Sequence, residues 1–177
     1  PRVRRQRQMC IRDSTYRAVQ LDAPARGRVV AVKEFFPRAL AVRAADGSVQ
    51  PMPKGAADFA LYCARFVRGY RFLHAKANCP PLVPLLDLFE QNGTAYVVMA
   101  YIEGETLAHR VREQGAIPPE ELMRMMKPFI ENLRMLHEKK IIHRDIKPAN
   151  IILKGGDTPI LLDFGLSLIH ISEPTRH

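Results

Sequence analysis

The spacing of apolar residues changes period several times along the chain, and each change marks an element. Thr15-Tyr16-Arg17-Ala18-Val19-Gln20 alternates as a strand does, and so does Arg28-Val29-Val30-Ala31-Val32-Lys33, after a loop holding Pro24 and Gly27. From Glu34-Phe35-Phe36-Pro37 to about Pro53 no period holds, and Asp46-Gly47 predicts a small hairpin inside a loop. Over residues 57–77, Phe59, Cys63, Phe66, Tyr70 and Leu73 fall near helical spacing. Residues 82–90 and 95–101 read as two strands joined at Asn92-Gly93, a strong hairpin signal. Gly104-Glu105-Thr106-Leu107 opens a short helix. A longer one starts at Pro118-Pro119-Glu120-Glu121, where proline fits the first turn and two acids face the positive end of the dipole. Its Leu122, Met125, Met126, Phe129, Ile130, Leu133 and Leu136 recur at three and four, predicting a buried stripe with the methionines as core filler. Lys139 and Lys140 close its last turn, and His109 and His137 read as packing or surface residues.

The chemistry concentrates in His143-Arg144-Asp145-Ile146-Lys147-Pro148-Ala149-Asn150 and, further on, Asp163-Phe164-Gly165. Between them two short apolar runs, Ile151-Ile152-Leu153 and Pro159-Ile160-Leu161-Leu162, flank Lys154-Gly155-Gly156-Asp157-Thr158 and predict a β-hairpin. Its midpoint falls between Gly156 and Asp157, so folding there sets Asn150 and Asp163 side by side at the open end. An amide oxygen and a carboxylate held together are hard ligands suited to Mg²⁺, which keeps waters and takes further oxygens from a substrate phosphate. Asp145 and Lys147, in the loop leading to Asn150, add a proton acceptor and a cation able to neutralise phosphate oxygens. Such a loop has the parts for phosphoryl transfer, where positioning and charge stabilisation do most of the catalysis.

The HRDIKPAN stretch and DFG resemble the catalytic loop and metal-binding motif of the eukaryotic-like, bacterial-type Ser/Thr protein kinases, with Lys147 two residues after Asp145 as in the Ser/Thr branch. The resemblance implies an α+β, two-lobed protein-kinase-like fold, here incomplete: a partial small lobe and hinge over 15–103, and the start of the large lobe to DFG over 104–165. It implies transfer of the γ-phosphoryl group of ATP to a protein Ser or Thr hydroxyl with Mg²⁺. Asp145 would be the catalytic base, Lys147 would neutralise the phosphoryl group, and Asn150 and Asp163 would hold metal. Val30-Ala31-Val32-Lys33 stands in place of the family's VAIK, which makes Lys33 the ligand of the α- and β-phosphates. Ala18, Ala31, Met99, Ala100 and Ile102 would surround the nucleotide base, Met99 as gatekeeper and Ala100 and Ile102 through their backbones. His143 would anchor the loop structurally, and Arg144 would receive an activation-loop phosphate.

Two departures accompany the likeness. No phosphate-covering G-x-G-x-x-G precedes Thr15, and no acidic residue lies between Asp58 and Asp87. The family's helix after Lys33 carries a glutamate that pairs with that lysine. Its place here falls near Gly69, between Arg68 and Tyr70. Asp163 is then the expected partner of Lys33 without nucleotide. A pseudokinase, meaning a nucleotide-binding scaffold, is the alternative that this departure favours. A small-molecule phosphotransferase is a further one, since antibiotic kinases share an H-x-D-x-x-x-x-N pattern.

Composition changes this picture little. The chain has 177 residues, 47% hydrophobic and 25% charged, as one globular unit requires. Of its net charge of +9, residues 1–14 carry +4 (Arg2, Arg4, Arg5, Arg7 and Arg12 against Asp13), and without both ends the body is a mildly basic +5, so no nucleic-acid partner is implied. Cys10, Cys63 and Cys79 lack metal-ligand spacing and fit reduced thiols of a cytoplasmic protein. No apolar run reaches a membrane span. Residues 4–14, RRQRQMCIRDS, and 166–177, LSLIHISEPTRH, have no amphipathic period. Both look like translations of transposase-type sequencing adapters, sharing ATGTGTATAAGAGACAG in opposite orientations. Residues 1–14 and 166–177 are therefore expected to be foreign and poorly packed, and a chain ending at DFG is expected to be inactive by itself.

Overall fold

The computed structural model describes residues 3–5, 15–21, 24–75, 83–139, 141–143 and 145–162. They divide into two compact units, one from within Pro1–Ala75 and Pro84–Tyr101, the other from within Lys76–Val83 and Ile102–His177.

The first unit is built on a five-stranded antiparallel sheet. Its strands are β1 (Val3–Arg5), β2 (Thr15–Gln20), β3 (Val29–Glu34), β6 (Leu85–Gln91) and β7 (Thr94–Ala100), in the order β1-β2-β3-β7-β6. The short β1 is an element that the sequence pattern does not announce, and it pairs Val3 with Gln20. Register sorts the residues of β2, β3 and β7 onto two faces. Thr15 lies opposite Lys33, Arg17 opposite Ala31, Ala31 opposite Met99 and Lys33 opposite Val97, so these share one face. The other face carries Ala18, Val30, Val32, Tyr96 and Val98, which form a buried cluster with Leu86 and Phe89 against it. There Phe89 stacks on Tyr96 with centroids 5.1 Å apart.

Asp46-Gly47 does turn a hairpin, of β4 (Ala41–Arg43) and β5 (Val49–Pro51), but the surrounding segment is more than a loop. Ala41 and Val49 are buried together with Phe59 of helix α1 (Ala56–Ala75), and Phe35, Phe36, Leu40 and Cys63 pack around them. Phe35 meets Phe59 and Phe66 at 5.3 and 5.4 Å between ring centroids. The Asn92-Gly93 turn also serves this packing. Asn92 and Gly93 both take positive φ, 52° and 72°, as a tight hairpin turn of this kind requires. The Asn92 carbonyl accepts from Val49 N–H at 2.8 Å, and a Cβ on Gly93 would collide with the Val49 carbonyl.

The second unit has helix α2 (Leu107–Gln114), helix α3 (Pro119–Glu138) and a small sheet ordered β10-β9-β8, from β8 (Gly104–Thr106), β9 (Ile151–Lys154) and β10 (Thr158–Leu161). Gly104-Glu105-Thr106 does not open the short helix, which starts at Leu107. It forms β8, with Gly104 opposite Lys154 and so close to β9 that a Cβ would strike the Leu153 carbonyl. Thr106 then caps α2, its hydroxyl accepting from His109 N–H at 3.1 Å. The core joins Leu107, Met125, Phe129, Ile151, Leu153 and Leu161, with Ile117, Met126 and Leu133 against it. The buried stripe of α3 is narrower than its apolar spacing predicts. Leu122, Ile130 and Met135 are exposed, and Met123 is 67% exposed, so not all the methionines fill the core. One helix face about 100° wide suffices to cover a three-stranded sheet. The helix also continues through Pro128, which cannot donate the usual bond to Arg124.

The most concentrated polar contact of the first unit lies on the buried face of β3. Glu34 accepts from Tyr16 Oη at 3.1 Å, Tyr96 Oη at 2.7 Å and Arg43 Nη1 at 3.2 Å, while Arg43 Nη2 closes a second prong at 2.5 Å. Burial pulls its pKa up, but the hydrogen bonds from Arg43 and Tyr96 outweigh that and hold it below the ordinary glutamate range. A depressed folded-state pKa stabilises the fold above the unfolded value, and that stability is lost as pH falls through the folded one. Glu34→Gln should therefore cost about 1–3 kcal/mol at neutral pH. Thermal melts should show the gap to wild type closing on acidification below the glutamate range. A gap that is constant with pH would contradict this account.

Candidate active site

The hairpin β9–β10 forms as its sequence predicts and fixes the residues before it. Pro148–Asn150 make one 3₁₀ turn, with Asn150 N–H bonded to the Lys147 carbonyl at 2.8 Å. At the open end, Leu162 N–H donates to the Asn150 carbonyl at 2.8 Å, one pair beyond the last strand register. His143 is buried, and its Nε2 lies 3.0 Å from the Leu162 carbonyl. An acceptor there makes Nε2 the protonated nitrogen, which leaves Nδ1 to receive Asp145 N–H at 3.4 Å. The loop is thus tied to the hairpin through main chain and imidazole, before any charged side chain is considered.

The charged side chains then converge on one carboxylate. Lys147 Nζ contacts both oxygens of Asp145, at 2.8 and 2.7 Å. Asn150 Nδ2 donates to the Asp145 carbonyl at 2.9 Å and to its Oδ2 at 2.8 Å. With both amide hydrogens engaged, Asn150 Oδ1 is the atom left to meet a cation. The hydrogen bond from Lys147 lowers the pKa of Asp145; burial opposes it as the next-largest effect, and Asn150 and the charge of Lys147 add smaller lowering contributions. Asp145, Lys147 and Asn150 are therefore brought together. Asp163, Arg144 and the rest of the DFG stretch lie outside the described residues.

In the first unit, Lys33 is buried in β3, on the face it shares with Ala31 and Met99. Ala18 does not join them. Its partner in β3 is Val30, so it turns to the opposite face and is buried with Val32, Tyr96 and Val98. The residue of β2 that stands opposite Lys33 is Thr15. A strand's period of two decides this, and the register could be had from the sequence only by fixing the length of the β2–β3 turn. Ala100 N–H donates to the Pro84 carbonyl at 2.9 Å, so that group is already engaged. Ile102 follows outside any helix or strand and is half-buried. Gly69 lies on the buried side of α1 with Phe66, Val67, Tyr70 and Leu73, whereas Arg68 is exposed. The position read as the missing glutamate thus does face inward, and it carries no side chain.

Comparison with known proteins agrees with this geometry. The protein kinase domain profile matches residues 64–176. The chain belongs to the protein kinase family. Serine/threonine-protein kinase PrkC of Bacillus subtilis is 31% identical to this kinase chain over 115 residues, 63% of the chain and 18% of the relative. Serine/threonine-protein kinase PknA of Nostoc is 34% identical over 119 residues, 66% of the chain and 21% of the relative. Among solved structures, the apo form of PpkA-294 superposes with a TM-score of 0.77 at 31% identity, over 87% of the chain and 54% of that structure. The chain thus spans about a fifth of the length of these curated relatives and about half of the solved one. Its fold is the α+β kinase fold, represented in part. Among the described residues no helix is long and apolar enough to cross a membrane.

The contacts on Asp145 predict its titration. Lys147→Met should move the Asp145 pKa up towards the ordinary aspartate range, and Asn150→Ala should move it up by less. Carboxyl-carbon NMR titration of the three proteins reads both. A larger shift from Asn150→Ala than from Lys147→Met would reverse the order of the two contacts.

Proposed function

We propose that the protein to which this chain belongs transfers the γ-phosphoryl group of ATP to Ser or Thr hydroxyls of protein substrates. The observation that carries this reading is the convergence of Lys147 and Asn150 on Asp145, held by the His143 and Leu162 anchors. An ionised carboxylate at neutral pH can accept the hydroxyl proton as the oxygen attacks, which is worth about 10²–10⁴-fold in rate. Lys147, exchanged from Asp145 onto the transferring group, would neutralise its equatorial oxygens. Lys33 would hold the α- and β-phosphates. Ala31 and Met99, side by side in register, would line the base site, with the backbones of Ala100 and Ile102 at its edge.

The donor set fits a hard divalent cation. Asn150 Oδ1 accepts no hydrogen bond among the described residues, and one or two protein oxygens suffice for Mg²⁺, which retains water and takes the remainder from phosphate. Asn150 and Asp163 are the residues proposed to hold it. Bound there, Mg²⁺ supplies charge neutralisation on the phosphates. The substrate class is a polypeptide with an accessible Ser or Thr hydroxyl. A cytoplasmic location for this part of the protein is proposed with it, since ATP is the phosphoryl donor.

The buried Gly69 supports a second reading, a nucleotide-binding scaffold with weak or no turnover, because α1 offers no carboxylate after Asp58. Two variants of the longer protein, carrying a whole kinase domain, separate the readings. Asp145→Asn should lower kcat at saturating ATP by about 10²–10⁴-fold with the ATP affinity kept. Gly69→Glu should raise kcat, because it returns a carboxylate to the inner side of α1. Wild-type turnover that does not respond to Asp145→Asn would leave the scaffold as the function.

A further inference from the structure

Lys33 and Glu34 are consecutive residues at the end of β3, with side chains on opposite faces of the sheet. Among the described residues, the carboxylate of Glu34 accepts from Tyr16, Tyr96 and Arg43, which come from three elements. Tyr16 and Tyr96 come from β2 and β7, the two strands that flank β3, and Tyr96 is the register partner of Glu34 itself. Arg43 comes from outside the sheet, from the β4–β5 hairpin, and grips both carboxylate oxygens. Arg43 is itself held on two more sides, donating to the Gly47 carbonyl at 3.0 Å and lying 4.7 Å over the Phe36 ring. The hairpin is in turn fastened to the β6–β7 turn, where Val49 N–H reaches the Asn92 carbonyl. Phe35, the residue after Glu34, is tied to β7 directly: its N–H reaches the Ala95 carbonyl at 2.9 Å, and Thr94 Oγ1 donates to its carbonyl. A circuit of contacts therefore runs from the residue after Lys33, through the hairpin, and back to the turn that leads into the neighbouring strand.

We propose that Arg43, acting through Glu34, is a positioning residue for Lys33, so that the β4–β5 hairpin steadies the phosphate-binding lysine from behind the sheet. The inference rests on the reading of Lys33 as a phosphate ligand. A strand end is where backbone freedom returns, and a lysine's reach to a phosphate depends on where its Cα is held. Pinning the buried carboxylate of the next residue by a two-pronged ion pair removes that freedom on the side of β3 that Lys33 does not face. The circuit does so without any carboxylate from α1, which has Gly69 at the inward position.

The test is a double-mutant cycle in the longer protein, with dissociation constants for Mg·ATP and for adenosine measured by calorimetry. Arg43→Met is suitable because Arg43 is partly exposed, and Glu34 keeps its two tyrosine donors. The expected result is about a tenfold weaker Kd for Mg·ATP and an unchanged Kd for adenosine, which has no phosphate for Lys33 to hold. In a Lys33→Met background, Arg43→Met should add little further loss, the non-additivity of residues acting as one unit. An equal loss for adenosine and Mg·ATP, or the same loss in both backgrounds, would show a purely structural pair and overturn the proposal. Unchanged Mg·ATP binding in Arg43→Met would do the same. If Lys33→Met alone leaves Mg·ATP affinity intact, the reading of Lys33 fails instead, and the two failures are told apart.

Discussion

Both backbone groups of Leu162 are committed to the loop that precedes its own hairpin. Its N–H holds the Asn150 carbonyl and its carbonyl holds the buried imidazole of His143. Two neutral hydrogen bonds are each worth about 1 kcal/mol net, too little to define a site alone. They act because the strands leading to Leu162 are fixed by other means. Ile151, Leu153 and Leu161 are buried against Met125 and Phe129 of α3, so the hairpin cannot slip without exposing its apolar side. Asn150 and Asp145 inherit that register. The polar chemistry of the second unit is therefore set by an apolar contact between a helix and a three-stranded sheet.

The same dependence explains what the sequence made legible. The β9–β10 hairpin was readable because Ile151-Ile152-Leu153 and Pro159-Ile160-Leu161-Leu162 flank a Gly-Gly turn, and local pattern determines local structure there. The convergence of Lys147 and Asn150 on Asp145 was readable only as proximity, and the individual bonds needed coordinates. Ala18 shows where reading by pattern stops. Its strand follows from local alternation, but which face it presents depends on pairing with β3 across a turn of undetermined length, and a shift of one residue exchanges Ala18 for Arg17 or Val19. β8 was hidden for a different reason. Gly104-Glu105-Thr106 has no strand pattern, and it becomes a strand because Gly104 lets the chain approach Leu153 closely.

The hairpin β4–β5 was visible as a turn and not as a part of the fold. Its strands have three residues each, too few to show a period, and the Arg43–Glu34 pair links it, across nine positions in sequence, to a buried carboxylate at the end of another strand. Arg43 has the composition of a surface residue, and only the depth of Glu34 gives it a role. In α3 the apolar pattern covers more of the helix than its neighbours do, and Leu122 and Ile130 stay exposed. Burial is set by what lies across from a side chain, and a single helix's sequence does not contain that.

The mutual grip of Asp145 and Lys147 has a consequence for what the loop can admit. Together the two side chains form a neutral dipole, so a lone anion approaching Lys147 also approaches a carboxylate that its arrival would strip of its counter-ion. A lone cation approaching Asp145 meets the ammonium in the same way. The loop is therefore a poor receptor for inorganic phosphate or for a free metal ion arriving singly. A ligand that brings positive and negative charge at once can exchange partners with both residues and leave neither bare. In this sense the ion pair works as a coincidence gate, built from two residues two positions apart.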